Sequence, residues 1–242
     1  MKTYRGVLLD ADNTLFDYDR AEAEALEETF ALAVPDVPRS QAVAAYREIN
    51  ARYWKLFEQG SITAKGLQAG RWADLFQRLG KSGDPSEAAA IYVARLSTKT
   101  HFLPGASEFV RELARSARLC LITNGLSRVQ RGRLAGSGIE GHFAAVLISE
   151  ELGFAKPDPR FFLAAGTALN LPASQLLCVG DNPAADIAGA RGAGIDACWF
   201  SPSGAPWPGP GDPPEHIVHD LSEVLHLVNV ARSDRGGVYP SD

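Results

Sequence analysis

The spacing of apolar residues changes along the chain. Tyr4 to Leu9 is a short apolar run ending at Asp10, the pattern of a strand buried in a parallel sheet. From Asp19 to about Thr98 the period is helical: Val43, Tyr46, Ile49, Tyr53 and Phe57 recur at one spacing, and Trp72, Leu75, Phe76 and Leu79 repeat it. Breaks at Pro35–Pro38, Gly60–Ser61 and Gly80–Pro85 divide this stretch into roughly four helices, whose aromatic residues, Trp54, Phe57 and Trp72 included, are expected mostly in a bundle core.

From Leu103 onward strands and helices alternate. Ala117–Thr123, Ala144–Ser149, Leu176–Val179 and Ile195–Phe200 read as strands. Helical sequence follows Gly125 to about Gly136, fills Pro159–Leu169 with Phe161 and Phe162 facing inward, and opens again at Asn182-Pro183. Ser201–Pro214 reads as a surface loop, followed by a short strand near Ile217 and a helix from Ser222 to about Val230. This alternation predicts βαβ units and a parallel α/β sheet that includes the Asp10 strand. The helical stretch is then an insertion at the carboxyl end of that strand, the place of a candidate lid. The predicted division is a core of residues 1–17 and 99–231, a helical cap of residues 18–98 and a flexible tail of residues 232–242.

Composition narrows the function. The 242 residues suffice for one large domain or two modest ones, and 45% hydrophobic content is ordinary for a chain with a real core. A net charge of −5 argues against nucleic acid or an anionic membrane as partner, and makes an anionic substrate depend on a local cation. Cys120, Cys178 and Cys198 lie in apolar runs and read as buried free thiols of a reducing compartment. No apolar run has the length of a membrane span, and Asp10 comes too early for a signal peptide, so a cytoplasmic enzyme is expected.

Four polar clusters fall at strand ends or just beyond: Asp10 with Asp12, Thr123-Asn124-Gly125, Lys156-Pro157, and Gly180-Asp181 with Asp186. Singly each has a plain reading as a turn, a surface loop or a helix start. Jointly they supply the parts of a Mg²⁺-dependent phosphoryl-transfer site. A carboxylate can attack phosphorus and split the reaction in two. A second acid can protonate the leaving oxygen and then deprotonate water. Asp10 and Asp181 suit Mg²⁺, Thr123 and Asn124 suit phosphoryl oxygens, and Lys156 offsets the combined negative charge.

The set D-x-D-x-T, T-N-G, K-P and G-D-x-x-x-x-D, in this order, resembles the haloacid dehalogenase superfamily over nearly the whole chain. The resemblance implies a Rossmann-like parallel sheet flanked by helices, with the insertion as a four-helix cap. It implies that Asp10 is the nucleophile and a Mg²⁺ ligand, and that Asp12 is the general acid/base and gives its backbone carbonyl to the metal. Thr123, Asn124 and Gly125 would bind the phosphoryl group, Lys156 would orient Asp10, Asp181 would bind Mg²⁺, and Asp186 would support them. Asp-Ala-Asp-Asn-Thr-Leu-Phe, Leu-Ile-Thr-Asn-Gly, Ile-Ser-Glu-Glu-Leu-Gly-Phe-Ala-Lys-Pro and Gln59–Thr63 are similar to pyrimidine nucleoside 5′-monophosphatases, so the expected partner is a small phosphorylated metabolite of the nucleoside monophosphate class, bound by a monomer or homodimer.

Asn13 and Asn182-Pro183 depart from the family's usual residues. The alternatives are another phosphatase such as a phosphoglycolate phosphatase, a sugar phosphomutase, a 2-haloacid dehalogenase, which would need neither Mg²⁺ nor Asp12, and a phospho-accepting signalling module. Candidates for leaving-group selection are Trp54, Phe57 and Arg71 of the cap, the Gly60–Thr63 turn and Phe16-Asp17-Tyr18.

Overall fold

Five-residue runs such as Gly6–Asp10 carry no polar residue before their last position, so they are stable only with both faces covered. The computed structural model, which describes residues 3–209 and 211–233, places them in a parallel sheet. In chain order the elements are β1 (Gly6–Asp10), α1 (Tyr18–Ala33), α2 (Arg39–Glu58), α3 (Ala64–Arg78), α4 (Pro85–Leu96), α5 (Ala106–Leu113), β2 (Arg118–Thr123), α6 (Ser127–Ser137), β3 (Phe143–Ile148), α7 (Ser149–Leu152), α8 (Pro159–Leu169), β4 (Leu176–Gly180), α9 (Gly189–Gly192), β5 (Asp196–Phe200), β6 (His216–Val218) and α10 (Ser222–Ser233). The six strands run in the order β3-β2-β1-β4-β5-β6, a Rossmann-like arrangement. Order reverses beside β1, so the crevice where such sheets bind ligands lies at the carboxyl ends of β1 and β4.

The residues fall into two compact units. One comprises Tyr18–His101 and Gly125–Ser137; the sheet and its remaining helices make the other. The helical unit forms for local reasons. The Thr63 hydroxyl accepts from Gly66 N and starts α3, and Asp84 with Pro85 starts α4. Phe30, Tyr46, Trp72 and Tyr92 meet in its centre, with ring centroids 5.2–6.2 Å apart. Trp54 and Phe57 are only half-buried and pack edge to face. The sequence reading kept α6 with the sheet, but Leu126 and Val129 pack into the helical core. A Cβ on Gly132 would stand 2.7 Å from Ser97 O, so α6 and the segment after α4 approach as closely as a glycine allows.

In the sheet unit, Phe161 and Phe162 of α8 are fully buried against β-strand residues that include Leu8, Cys120 and Cys178. All three cysteines are buried and unpaired. The helix expected after Asn182 begins instead as one wide turn over Pro183–Ala188, in which Ile187 N reaches back to Asn182 O. Residues 234–242 of the predicted tail lie outside the described residues. Among the described residues no helix is long and apolar enough to cross a membrane.

Candidate active site

β1 delivers Asp10 at its carboxyl end, where the carboxyl group is almost fully buried. The chain then turns sharply: Asn13 N donates to Phe16 O, Leu15 N and Phe16 N both donate to Ala11 O, and Asn13 takes φ of 60°. Asparagine is among the few side chains that accept this left-handed conformation, which explains its place between Asp12 and Thr14. Asp12 is half-buried and forms a bridge with Phe16.

β4 stands beside β1 and ends at Gly180, so Asp181 follows next to Asp10. Thr14 Oγ1 accepts from Asp181 N at 3.1 Å. The wide turn that follows carries Asp186 back toward the strand. A Cβ on Gly180 would lie 2.3 Å from Asp186 Oδ2, so only glycine admits this approach.

Lys156 joins the two sides. Its Nζ donates to Asp10 Oδ1 at 2.5 Å, Asp186 Oδ1 at 2.6 Å and Ile122 O at 3.4 Å, giving all three of its donors an acceptor. Asn124, just past β2, holds Lys156 in place: its Nδ2 donates to Lys156 O and its Oδ1 accepts from Lys156 N, both at 2.8 Å. Ser149 Oγ, at the end of β3, donates to Asn124 O at 3.0 Å. Thr123 is buried at the end of β2. Gly125 opens the second segment of the helical unit, and a Cβ there would come 2.2 Å from Gln130 Nε2.

Oxygens of Asp10, Asp181 and Asp186 lie within 4.8 Å of one another. Asp12 stands outside that group. One ammonium among three carboxyl groups leaves surplus negative charge, which a proton or a divalent cation relieves. Burial pushes the Asp181 carboxyl up to about 7; Asp186 adds to the rise, Lys156 opposes it, and Asp12 raises it further. Burial likewise raises Asp10, Lys156 pulls it down, and Asp186 and Asp181 push it up. Burial works against the Lys156 charge, but Asp10 and Asp186 outweigh it and hold the amine above its ordinary value. An all-oxygen anionic donor set of this kind fits a hard divalent cation.

The sequence reading brought Asp10, Lys156, Asp181 and Asp186 together, and so does the fold. It gave Asn124 to the phosphoryl group through its backbone N–H and left the side chain without a role, whereas both ends of that amide are engaged with the Lys156 backbone. It overlooked Thr14, whose only signal was its place in D-x-D-x-T, and Ser149, which reads as an ordinary helix start. It also overlooked Trp199, whose Nε1 donates to Asp181 O at 2.8 Å and which in sequence is one more apolar strand residue.

An acidic cluster at the switch point of a parallel sheet, crossed by one buried lysine, is an arrangement that suits a hydrolase. The chain belongs to the haloacid dehalogenase-like hydrolases, whose family pattern matches residues 4–194. It is 32% identical over 232 residues to the HAD-hydrolase YfnB of Bacillus subtilis, spanning 95% of this chain and 97% of that protein. It is 36% identical over 202 residues to the pyrimidine 5′-nucleotidase PynA of Streptococcus pneumoniae, spanning 82% and 84%. The crystal structure of YfnB bound to magnesium superposes with a TM-score of 0.84 at 30% identity, over 94% of this chain and all of that one. A 2-haloacid dehalogenase from Pseudomonas syringae superposes with a TM-score of 0.70 at 31% identity, over 96% of this chain and all of that one.

Proposed function

We propose that the chain is a Mg²⁺-dependent phosphatase that hydrolyses small phosphate monoesters through an aspartyl-phosphate on Asp10, with pyrimidine nucleoside 5′-monophosphates as preferred substrates. The observation that carries this reading is the Lys156 ammonium bonded to Asp10 and Asp186, with an oxygen of Asp181 within 4.8 Å of theirs. Asp10 has one oxygen fixed by Lys156 and the other for attack on phosphorus. Asp12, outside the acidic group, protonates the leaving oxygen and then takes the proton of the water that hydrolyses the aspartyl-phosphate. The Thr123 hydroxyl and the backbone that follows it hold the phosphoryl oxygens, while Asn124 and Asp186 keep Lys156 aimed at Asp10. Asp10 and Asp181 would hold Mg²⁺ with the backbone carbonyl of Asp12, and the ion would supply positive charge against phosphate and carboxylates. That charge also favours the ionised nucleophile, which burial and the neighbouring acids oppose.

The nucleotide preference rests on the likeness to PynA and on the motif resemblance. The groups just named meet only the phosphoryl end and cannot tell one ester from another, so discrimination falls to other residues. The deciding experiment is a panel of phosphate monoesters assayed with Mg²⁺ and with chelator. The expected order of kcat/KM places dUMP, UMP and dTMP above purine monophosphates, phosphoserine and phosphoglycolate, with activity lost in chelator. A purine monophosphate or a small ester ahead of all three pyrimidine nucleotides overturns the substrate. The likeness to a 2-haloacid dehalogenase gives the rival reading, and turnover of 2-chloropropionate in chelator would decide for it.

A further inference from the structure

The backbone of Asp181 is held on both sides of its Cα by side chains that, among the described residues, bond to none of the acidic oxygens. Its N–H donates to Thr14 Oγ1 at 3.1 Å, and its carbonyl accepts from Trp199 Nε1 at 2.8 Å. Trp199 sits on β5 in register with Gly180 of β4, one residue before Asp181, so the sheet itself brings the indole to this carbonyl. Its ring is almost fully buried and meets Trp207 edge to face, with centroids 5.1 Å apart. Trp207 gives its own N–H to Gly211 O at 3.2 Å and, among the described residues, makes no hydrogen bond to the Asp181 loop. Trp199 thus carries the hydrogen bond to Asp181, and Trp207 contributes packing against Trp199.

We propose that Trp199 is a positioning residue for the cation site: its indole N–H fixes the Asp181–Asn182 peptide and thereby the direction of the Asp181 carboxylate. The inference rests on the reading of Asp181 as a metal ligand. A phenyl ring fills most of the same volume but has no donor, so Trp199→Phe leaves the Asp181 carbonyl without the indole bond, and the Asp181–Asn182 peptide is then held through its N–H, which donates to Asp186 Oδ2 at 3.1 Å. Groups that orient metal ligands typically govern affinity by about 10–100-fold.

The test is titration calorimetry of Mg²⁺ into the purified enzyme and into W199F and W207F, with thermal melting as the check on folding. The expected result is an Mg²⁺ dissociation constant about tenfold higher in W199F and unchanged in W207F, with kcat restored in W199F once Mg²⁺ is raised in proportion. Equal affinity in W199F and the unaltered enzyme overturns the proposal, and so does an equal loss in both variants, which would assign the effect to packing. Failure of the unaltered enzyme to bind Mg²⁺ overturns the metal reading and this inference together. Should W199F not fold, the indole N–H signals of the unaltered protein decide, with Trp207 assigned from W207F. Slow hydrogen exchange and a shift of the Trp199 signal on adding Mg²⁺ support the bond; exchange at the rate of an exposed indole overturns it.

Discussion

Two buried cations, Lys156 of the sheet unit and Arg71 of the helical unit, are held in opposite ways. Lys156 meets two carboxylates and a carbonyl, and every donor it has is engaged. Arg71, 1% exposed in the helical unit, has no carboxylate within ion-pair distance among the described residues. Its Nη1 donates to Asn50 Oδ1 at 2.7 Å, its guanidinium lies 5.7 and 5.2 Å from the ring centroids of Tyr46 and Tyr92, and its Nε has no partner among the described residues. Asn50 in turn donates to Glu22, which also accepts from Tyr18. Lys156 is therefore bonded directly to carboxylates that lose their charge balance without it, whereas Arg71 rests on aromatic faces and reaches the Glu22 carboxyl group only through Asn50. A cation of the first kind is part of a machine with no slack; one of the second kind keeps an unused donor.

Deleting the anion that Lys156 serves should give the largest effect. Asp10→Ala is expected to lower kcat on the order of 10⁶-fold, the scale of losing a nucleophile, and to abolish any acid-stable phosphoprotein in rapid-quench labelling. Asp12→Ala lies outside the Lys156 network and should cost about 10²–10⁴-fold in kcat. That loss should shrink with p-nitrophenyl phosphate, whose leaving group needs no proton; equal losses on both esters would remove Asp12 as the acid.

Stability sharpens the contrast between the cations. Lys156→Met strands two buried carboxylates and should cost about 3–5 kcal/mol in denaturant unfolding. Arg71→Met removes a desolvated charge along with its ring contacts and should stay within about 2 kcal/mol of the unaltered protein. Comparable losses in the two variants would erase the distinction. A fall in kcat/KM for nucleotides in Arg71→Met, with p-nitrophenyl phosphate unaffected, would give the unused donor a part in selection.

The smallest effects are those of pH, and the two units should differ in sign. Asp181 rises from its ordinary 3.8 to about 7, so between those values the folded protein binds more protons than the unfolded chain. Stability of the metal-free protein should fall as pH rises through this window, and Mg²⁺ should raise the melting temperature more at pH 8 than at pH 5.5. Glu24 of the helical unit is lowered from 4.5 to about 2, first by its bond with His101 and then by Arg20. Its contribution should be present above its unfolded value and fade as pH falls toward about 2, and exposure to solvent keeps it small. A Mg²⁺ effect on melting that is the same at both pH values would contradict the linkage at Asp181.

The strand ends were legible in the sequence because polar residues interrupt apolar runs there, and the sheet then has little choice about where Asp10, Lys156 and Asp181 go. What the sequence left out is what depends on a partner distant along the chain. Leu126 and Val129 are apolar at helical spacing whether they face the sheet or the helical core. Asn124 carries an amide suited equally to a phosphate and to the Lys156 backbone. Trp199 is indistinguishable from a packing residue until β5 is aligned with β4. The wide turn at Pro183–Ala188 follows from the need to bring Asp186 to Lys156, which no local propensity records.

The pairing of β1 with β4 has a bearing on how the chain folds. Thr14 and Asp181 are 167 residues apart, and Lys156 and Asp10 are 146 apart. During synthesis the first strand is finished long before its central neighbour exists, and closing so wide a loop is slow. Until then Asp10 has neither its lysine nor the second acid beside it, so a nascent or truncated chain lacks the acidic cluster. The cluster is created when β4 closes on β1, so whatever binds it would meet a finished molecule and not an unfinished one.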